Sequence, residues 1–181
     1  MLKIVIDPAC GGKTLGHQSF HQFANIVEKD YVLELSKLQQ ELFLQNQMNT
    51  LLTRQQDVDT DLKTRIACTG DADLLISNHL NAGKKRGIEI RYSQHHDTDF
   101  VDNLVKAFER RGFLVRSCRT YDALGYQGRD YDPILEQSKA KCSVMIFYGY
   151  VDSSDYYSLT VGQRDFSHAV LQAIHQTYGQ N

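Results

Sequence analysis

The opening stretch, Leu2-Lys3-Ile4-Val5-Ile6-Asp7-Pro8-Ala9-Cys10-Gly11-Gly12, constrains this chain more than any other. Leu2 to Ile6 read as a buried strand. Asp7-Pro8 stops it, because proline has no N–H to give to a ladder. Gly11 and Gly12 then allow a turn that a β-carbon resists. A buried strand ending this way delivers its last side chains to a sheet edge, where α/β folds build their sites. Cys10 is the side chain delivered there.

Strand-like and helix-like spacings alternate downstream. Gly11 to Asn25 reads as a long loop. From about Ile26 to Asn46 the apolar residues Val27, Tyr31, Leu35, Leu38 and Leu42 recur at helical spacing. Thr50–Thr53 reads as a short strand, and Asp59 or Thr60 as the cap of a helix ending near Gly70. Asp73–Ser77 is a second buried strand running straight into Asn78-His79-Leu80-Asn81. Gly87–Ser93 alternates as a strand with one wet face. A helix follows over Asp97–Arg111, closed by Gly112, with a strand at Leu114–Cys118. Residues 119–133 read as a surface loop, and Pro133 starts a short helix. Ser143–Phe147 is the last buried strand, and Gln163–Tyr178 the closing helix. This order predicts a single α/β domain over residues 1–181, a twisted, mostly parallel sheet flanked by helices on both faces.

Composition removes several classes of function. Twenty basic residues nearly balance twenty-two acidic ones, which argues against an electrostatic nucleic-acid binder or a polybasic membrane anchor. The four cysteines are scattered with no CxxC pair, and no apolar run reaches the ~18 residues a membrane helix needs. Nothing at the start reads as a signal peptide. The expectation is a protein that is cytoplasmic at synthesis.

Three strands end in polar residues that the topology would gather at one sheet edge: Asp7 to Gly12, Ser77 to Gly83, and Phe147 to Asp152. Glu28 stands in the first turn of the first long helix, close to the same edge. A thiolate, a carboxylate and an imidazole from three elements can form a three-ligand zinc site with an open fourth position. Each also has a plainer reading: packing for Cys10, helix-dipole compensation for Glu28, and a hydrogen-bonded surface role for His79. The pair His95-His96 reads as a solvated turn, unassigned to metal.

The motifs Lys3-Ile4-Val5-Ile6-Asp7-Pro8-x-x-Gly11-Gly12, Glu28-Lys29-Asp30, Leu52-Thr53-Arg54-x-x-Asp57, Arg65-x-Ala67, Ser77-Asn78-His79-Leu80-Asn81-Ala82 and Gly87-Ile88-Glu89 occur in that order. Together they resemble the zinc-dependent N-acetylmuramoyl-L-alanine amidases of the amidase-3 family, which include autolysins and phage endolysin catalytic domains. The resemblance implies a sheet of about six strands with one zinc ion at its edge. It also implies a peptidoglycan or muropeptide substrate, cleaved at the amide between N-acetylmuramic acid and L-alanine. His79 and Glu28 match two of the family's ligands. Cys10 stands where the family has its first histidine, and Ala9 where it has a glycine. A thiolate is a sound zinc ligand that makes the ion a weaker Lewis acid. Phe147 occupies the position of the family's catalytic glutamate, so no catalytic acid is assigned. Asp130, Glu136, Asp152, His17 and His21 are the substitutes in view. Asn81 and Arg129 are the substrate-binding candidates, Arg129 within an aromatic and basic rim with Tyr121, Tyr126 and Tyr131.

Three readings follow from these departures. One is a working peptidoglycan amidase that reaches the wall by release or export. The second is a pseudo-amidase that binds wall fragments or a partner, and the third a zinc hydrolase of another amide.

Overall fold

The computed structural model describes residues 1–21 and 24–179. In chain order its elements are β1 (Lys3–Pro8), a hairpin of β2 (Gln18–His21) and β3 (Ala24–Val27), helix α1 (Glu28–Gln45), β4 (Asn49–Leu52), α2 (Leu62–Ala67), β5 (Leu74–Asn81) and β6 (Ile88–Tyr92). There follow α3 (Asp99–Arg110), β7 (Val115–Arg119), a second hairpin of β8 (Asp122–Ala123) and β9 (Tyr126–Asp130), α4 (Pro133–Glu136), β10 (Cys142–Tyr150), α5 (Tyr156–Val161) and α6 (Gln163–Tyr178).

Six strands form one sheet in the order β4-β1-β5-β10-β6-β7. The first four of these run parallel, while β6 and β7, parallel to each other, run against them. The expected single α/β domain with a mostly parallel, helix-flanked sheet is therefore the observed fold. β10 is buried along its whole length, as a central strand covered on both faces must be.

The two faces carry unequal cores. Ile4, Ile6, Leu74, Ile76, Val144 and Ile146 point toward α1, α3 and α6 in the larger one. Phe100, Leu104 and Phe108 recur every four residues along α3, so one stripe of that helix is apolar and wholly buried. Phe108 meets Tyr148 and Phe166 edge-on with ring centroids 6.2 and 6.3 Å apart. Full burial of each such side chain contributes about 1.5–3 kcal/mol. The opposite face is thinner: Val5, Leu75, Met145 and Phe147 pack under Ile134 and Leu135 of α4, with Leu62 and Ile66 of α2 at the margin.

One polar network lies inside the larger core. Asn78 donates to Ser36 Oγ and Gln39 Oε1, both at 2.8 Å, Gln39 donates to the Tyr148 hydroxyl at 2.9 Å, and that hydroxyl donates to Asn78 Oδ1 at 2.9 Å. Each polar atom named is satisfied by another member, which is what burial demands. The ring joins α1, β5 and β10.

Several stretches depart from the sequence reading. The loop over Gly11–Asn25 contains the β2–β3 hairpin, so α1 begins at Glu28. The loop over residues 119–133 contains the β8–β9 hairpin, and α5 is a further short helix after β10. β1, expected to stop at Asp7-Pro8, runs through Pro8, which pairs with Asn78 of β5, and β5 and β10 also continue past their apolar runs, to Asn81 and Tyr150. Among the described residues no helix is long and apolar enough to cross a membrane.

Candidate active site

The turn after β1 is held by one arginine. Arg54, nearly fully buried, donates to the carbonyls of Pro8 (3.1 Å), Ala9 (3.0 Å) and Lys29 (2.7 Å). It thereby ties the end of β1 to the first turn of α1. Asp57 reinforces the same junction, accepting from Gly12 N at 2.7 Å and from Lys29 Nζ at 2.6 Å. The positive φ of this turn begins at Cys10 (60°) and continues through Gly11 and Gly12. Ala9 is outside it, so an alanine in place of the family's glycine is accommodated there.

Cys10 in the turn after β1, Glu28 at the start of α1 and His79 in β5 border one region of the sheet edge. Glu28 is 3% exposed, and its two carboxylate oxygens are directed apart: Oε1 accepts from Leu80 N at 3.1 Å and Oε2 from His17 N at 2.8 Å. Burial alone would raise its pKa, but the His79 contact and these two amides hold it below the ordinary carboxylate value. Gly16 closes over the pair. A β-carbon there would lie 2.5 Å from Glu28 Oε2 and 2.9 Å from Cys10 Sγ, at a φ of 71°. His17 contributes only backbone to Glu28, and the side chain of His21 lies outside the described residues.

His79 is oriented by a chain that starts at Asp7. The fully buried Asp7 carboxylate accepts from Arg65 Nε (2.7 Å) and Nη2 (2.5 Å), Thr53 Oγ1 (2.7 Å) and Ser77 Oγ (2.6 Å). The Ser77 proton is thus committed to Asp7, and Ser77 Oγ, 3.0 Å from His79 Nε2, must accept from it. The hydrogen of a neutral His79 then sits on Nε2, which turns the Nδ1 lone pair toward Glu28 Oε1 at 3.5 Å. The pair is satisfied by a cation between the two atoms, either a proton on Nδ1 or a metal ion. Adjacent ligands of a tetrahedral zinc, each ~2.0–2.1 Å from the metal, stand about 3.3 Å apart, so this gap fits. Cys10 supplies the third donor, a soft one. Burial, then the Glu28 charge, push its thiol up to about 11. Among the described residues, however, the trio whose ligand atoms all come within 4.8 Å is a different one, His95, Asp130 and Glu136. Cys10 is the looser member of its own set.

A cleft of about 400 Å³ opens beside Cys10 and His79, walled by Gly11, Thr14, Asp59, Asp61 and Arg65. A smaller depression of about 260 Å³, near Gly87 and Phe166, lies away from these residues. Phe147 pairs directly with His79 on one side and with Glu89 on the other, so the three share a face of the sheet. Its ring centroid lies 5.0 Å from that of His79, and the Arg91 guanidinium covers it at 4.7 Å. The position where a catalytic carboxylate was expected is thus beside the imidazole, filled by an apolar ring under a cation.

The other sequence candidates are dispersed. Asn81 donates to Glu89 Oε2 at 3.3 Å, and Glu89 also accepts a 2.5 Å bond from the Tyr150 hydroxyl. Asp152 caps Gly83 N at 2.6 Å. Arg129 covers Tyr126 and donates to Glu136. Asp130 and Glu136 stand together, but with His95. The support from Asp7, Ser77 and Arg65, the cleft carboxylates Asp59 and Asp61, and the cover by Arg91 were missed as functional features. Motif order alone marks Asp7, Ser77 and Arg65; Arg91 has no sequence signal beyond the wet face of its strand.

Comparison with protein-family models matches residues 4–176 to Amidase_3, described as N-acetylmuramoyl-L-alanine amidase. Comparison with curated proteins gives no match. Among solved structures, Cwp6 from Clostridium difficile is 24% identical with a TM-score of 0.81, over 96% of this chain and 28% of Cwp6. The chain therefore spans little more than a quarter of that protein. The catalytic domain of CwlV, an N-acetylmuramoyl-L-alanine amidase from Bacillus (Paenibacillus) polymyxa var. colistinus, is 20% identical over 97% of both chains, with a TM-score of 0.81. The CwlD amidase from Clostridioides difficile, solved in complex with the GerS lipoprotein, is 20% identical over 98% of both chains, again at 0.81. At such identities the structural likeness establishes the fold.

Proposed function

We propose, from the premise that this chain belongs to the Amidase_3 family of N-acetylmuramoyl-L-alanine amidases, that it hydrolyses peptidoglycan with zinc held by Cys10, Glu28 and His79. Its substrate is the amide joining N-acetylmuramic acid to the L-alanine of the stem peptide, and its place of action the cell wall. The observation that carries this reading is the approach of His79 Nδ1 to Glu28 Oε1, 3.5 Å apart, with Cys10 Sγ and Glu28 Oε2 both under Gly16. When bound there, zinc supplies Lewis-acid polarisation of the scissile carbonyl and lowers the pKa of a water molecule.

The chain's own residues supply the rest. Asp7 and Ser77 fix the His79 tautomer, the amides of His17 and Leu80 hold the Glu28 carboxylate, and Gly16 keeps space for both ligands. Phe147 excludes water from one side of His79 but holds no proton. Without a general acid/base there, turnover is expected to be slower by about 10²–10⁴-fold than in a relative that has one.

The test is incubation of the zinc-loaded protein with purified peptidoglycan, followed by detection of newly freed L-alanine amino termini. Wild type should release stem peptides slowly, His79→Ala should release none, and Phe147→Glu should raise the rate. Zinc-loaded protein that releases nothing, with no gain in Phe147→Glu, overturns the reading in favour of a binding module.

A further inference from the structure

Outside the cleft, one cluster of metal-ligating side chains is left without a role. His95 lies in the turn after β6, Asp130 ends β9, and Glu136 ends α4. We propose that these three form a second divalent-cation site, with one imidazole and two carboxylates, which fastens the β8–β9 hairpin to the body of the domain.

Proximity is the first support. Each residue offers one ligand atom within 4.8 Å of the others', and His95 Nε2 stands 3.7 Å from Glu136 Oε2. The second support is independent. Asp130 is only 4% exposed, and its Oδ2 is buried with no hydrogen-bond partner among the described residues. Its Oδ1, by contrast, accepts from both the backbone and the side chain of Gln94, at 3.1 and 3.2 Å. A buried carboxylate oxygen with no donor is an unmet demand for positive charge. Local cations do not meet it. Arg129 donates to Glu136 Oε1 at 3.1 Å, and Arg91 donates through Nη1 to Asp132 at 3.1 and 3.2 Å, its buried Nε having no partner among the described residues. Glu136 Oε2 accepts the Asp130 amide at 2.8 Å and retains a lone pair on the side of His95. His96, the next residue, has a buried Nδ1 that also lacks a partner among the described residues.

The donor set selects the cation. One imidazole with two carboxylates suits a borderline ion such as Zn²⁺ and discriminates against Mg²⁺ and Ca²⁺, which prefer all-oxygen shells. The site shares no residue with the cleft. Ser93 N bonds Ser143 O at the start of β10, whereas Phe147 meets His79 four residues further on, about 13 Å at 3.3 Å per residue. A cation here does no chemistry on the cleft's substrate. It links three segments that the chain otherwise joins by an exposed, glycine-bearing hairpin.

The proposal stands apart from the amidase reading and is tested in a background that removes the cleft ligands. After chelator treatment, the double variant Cys10→Ala/His79→Ala is titrated calorimetrically with ZnCl₂. One equivalent should bind, Mg²⁺ should not compete, and adding Glu136→Gln or His95→Ala should weaken binding at least tenfold. Zinc should also slow tryptic cleavage after Arg119 and Arg129 in the double variant. In wild type, Co²⁺ should give a thiolate charge-transfer band from the Cys10 site and, with the second equivalent, weak visible bands without one. His95 is exposed, so His95→Ala is safe from misfolding. A double variant that is folded by circular dichroism yet binds no zinc overturns the proposal, and so does zinc binding unaffected by both third substitutions. If wild type binds zinc and the double variant none, the cleft reading survives and this one fails. If the double variant keeps both equivalents, the cleft assignment fails instead.

Discussion

Cys10 carries a side chain at φ 60°, a conformation that costs a β-carbon-bearing residue about 1–2 kcal/mol. It is held there by the Arg54 clamp on the carbonyls of Pro8 and Ala9. Burial and Glu28 raise its thiol from 9.0 to about 11, which leaves about 100-fold less thiolate at neutral pH. In metal-free protein, iodoacetamide at pH 8 should therefore modify Cys10 about 100-fold more slowly than a cysteine in an unfolded peptide, as peptide mass spectrometry would read. Equal rates would contradict the environment described. Asp7 is the opposite case. Burial would raise its pKa, but Arg65, then Ser77 and Thr53, hold it below the usual value. Since the folded value lies under the unfolded one, its stabilisation is fully present above about pH 4 and is lost as pH falls through the lowered value. Asp7→Asn leaves the half-buried Arg65 without its counter-charge and should destabilise the domain by about 1.5–3 kcal/mol in urea unfolding. At this scale the sequence was readable only as motifs. It named Asp7 and Ser77 as members of a pattern, but their joint effect on a histidine tautomer depends on β1 lying beside β5, which no local spacing encodes.

The strands that were legible are those whose burial is continuous. Ile4–Ile6 of β1, the first half of β5 and Val144–Ile146 of β10 are runs of aliphatic residues, and a run of that kind has few alternatives to the middle of a sheet. Strand continuation through Ser77-Asn78-His79-Leu80-Asn81 was hidden because those polar side chains are satisfied by partners far along the chain. Both hairpins were hidden for a related reason. Tyr126 to Gly128 and Arg129 are exposed, so β9 shows none of the alternation that marks a half-buried strand. His95 and Glu136 likewise come together only because α4 folds back over the sheet. The ring of Asn78, Gln39 and Tyr148 is the element-scale counterpart of the Asp7 cluster, since it fixes α1 against β5 and β10. Tyr148→Phe leaves Asn78 Oδ1 and Gln39 without their buried partner and should cost about 1–3 kcal/mol, measured as a lower urea midpoint with an unchanged m-value.

Across the whole molecule, β10 lies between β5 and β6, although it is the last strand made. It sets Phe147 in one row with His79 and Glu89 and separates the two core clusters. A fragment of residues 1–141 keeps five of the sheet's strands but has lost the one that joins β4-β1-β5 to β6-β7. It should show no cooperative thermal transition and no fixed near-ultraviolet dichroism, while the full chain shows both. The same order has a consequence during synthesis. Until residues 142–150 leave the ribosome, β5 and β6 each present an unpaired edge to whatever is nearby. The nascent chain is thus most vulnerable to wrong pairing after β7 has been made and before β10 follows it. The row of His79, Phe147 and Glu89 cannot form until that moment has passed, so one wall of the candidate site is completed by the strand made after all its neighbours.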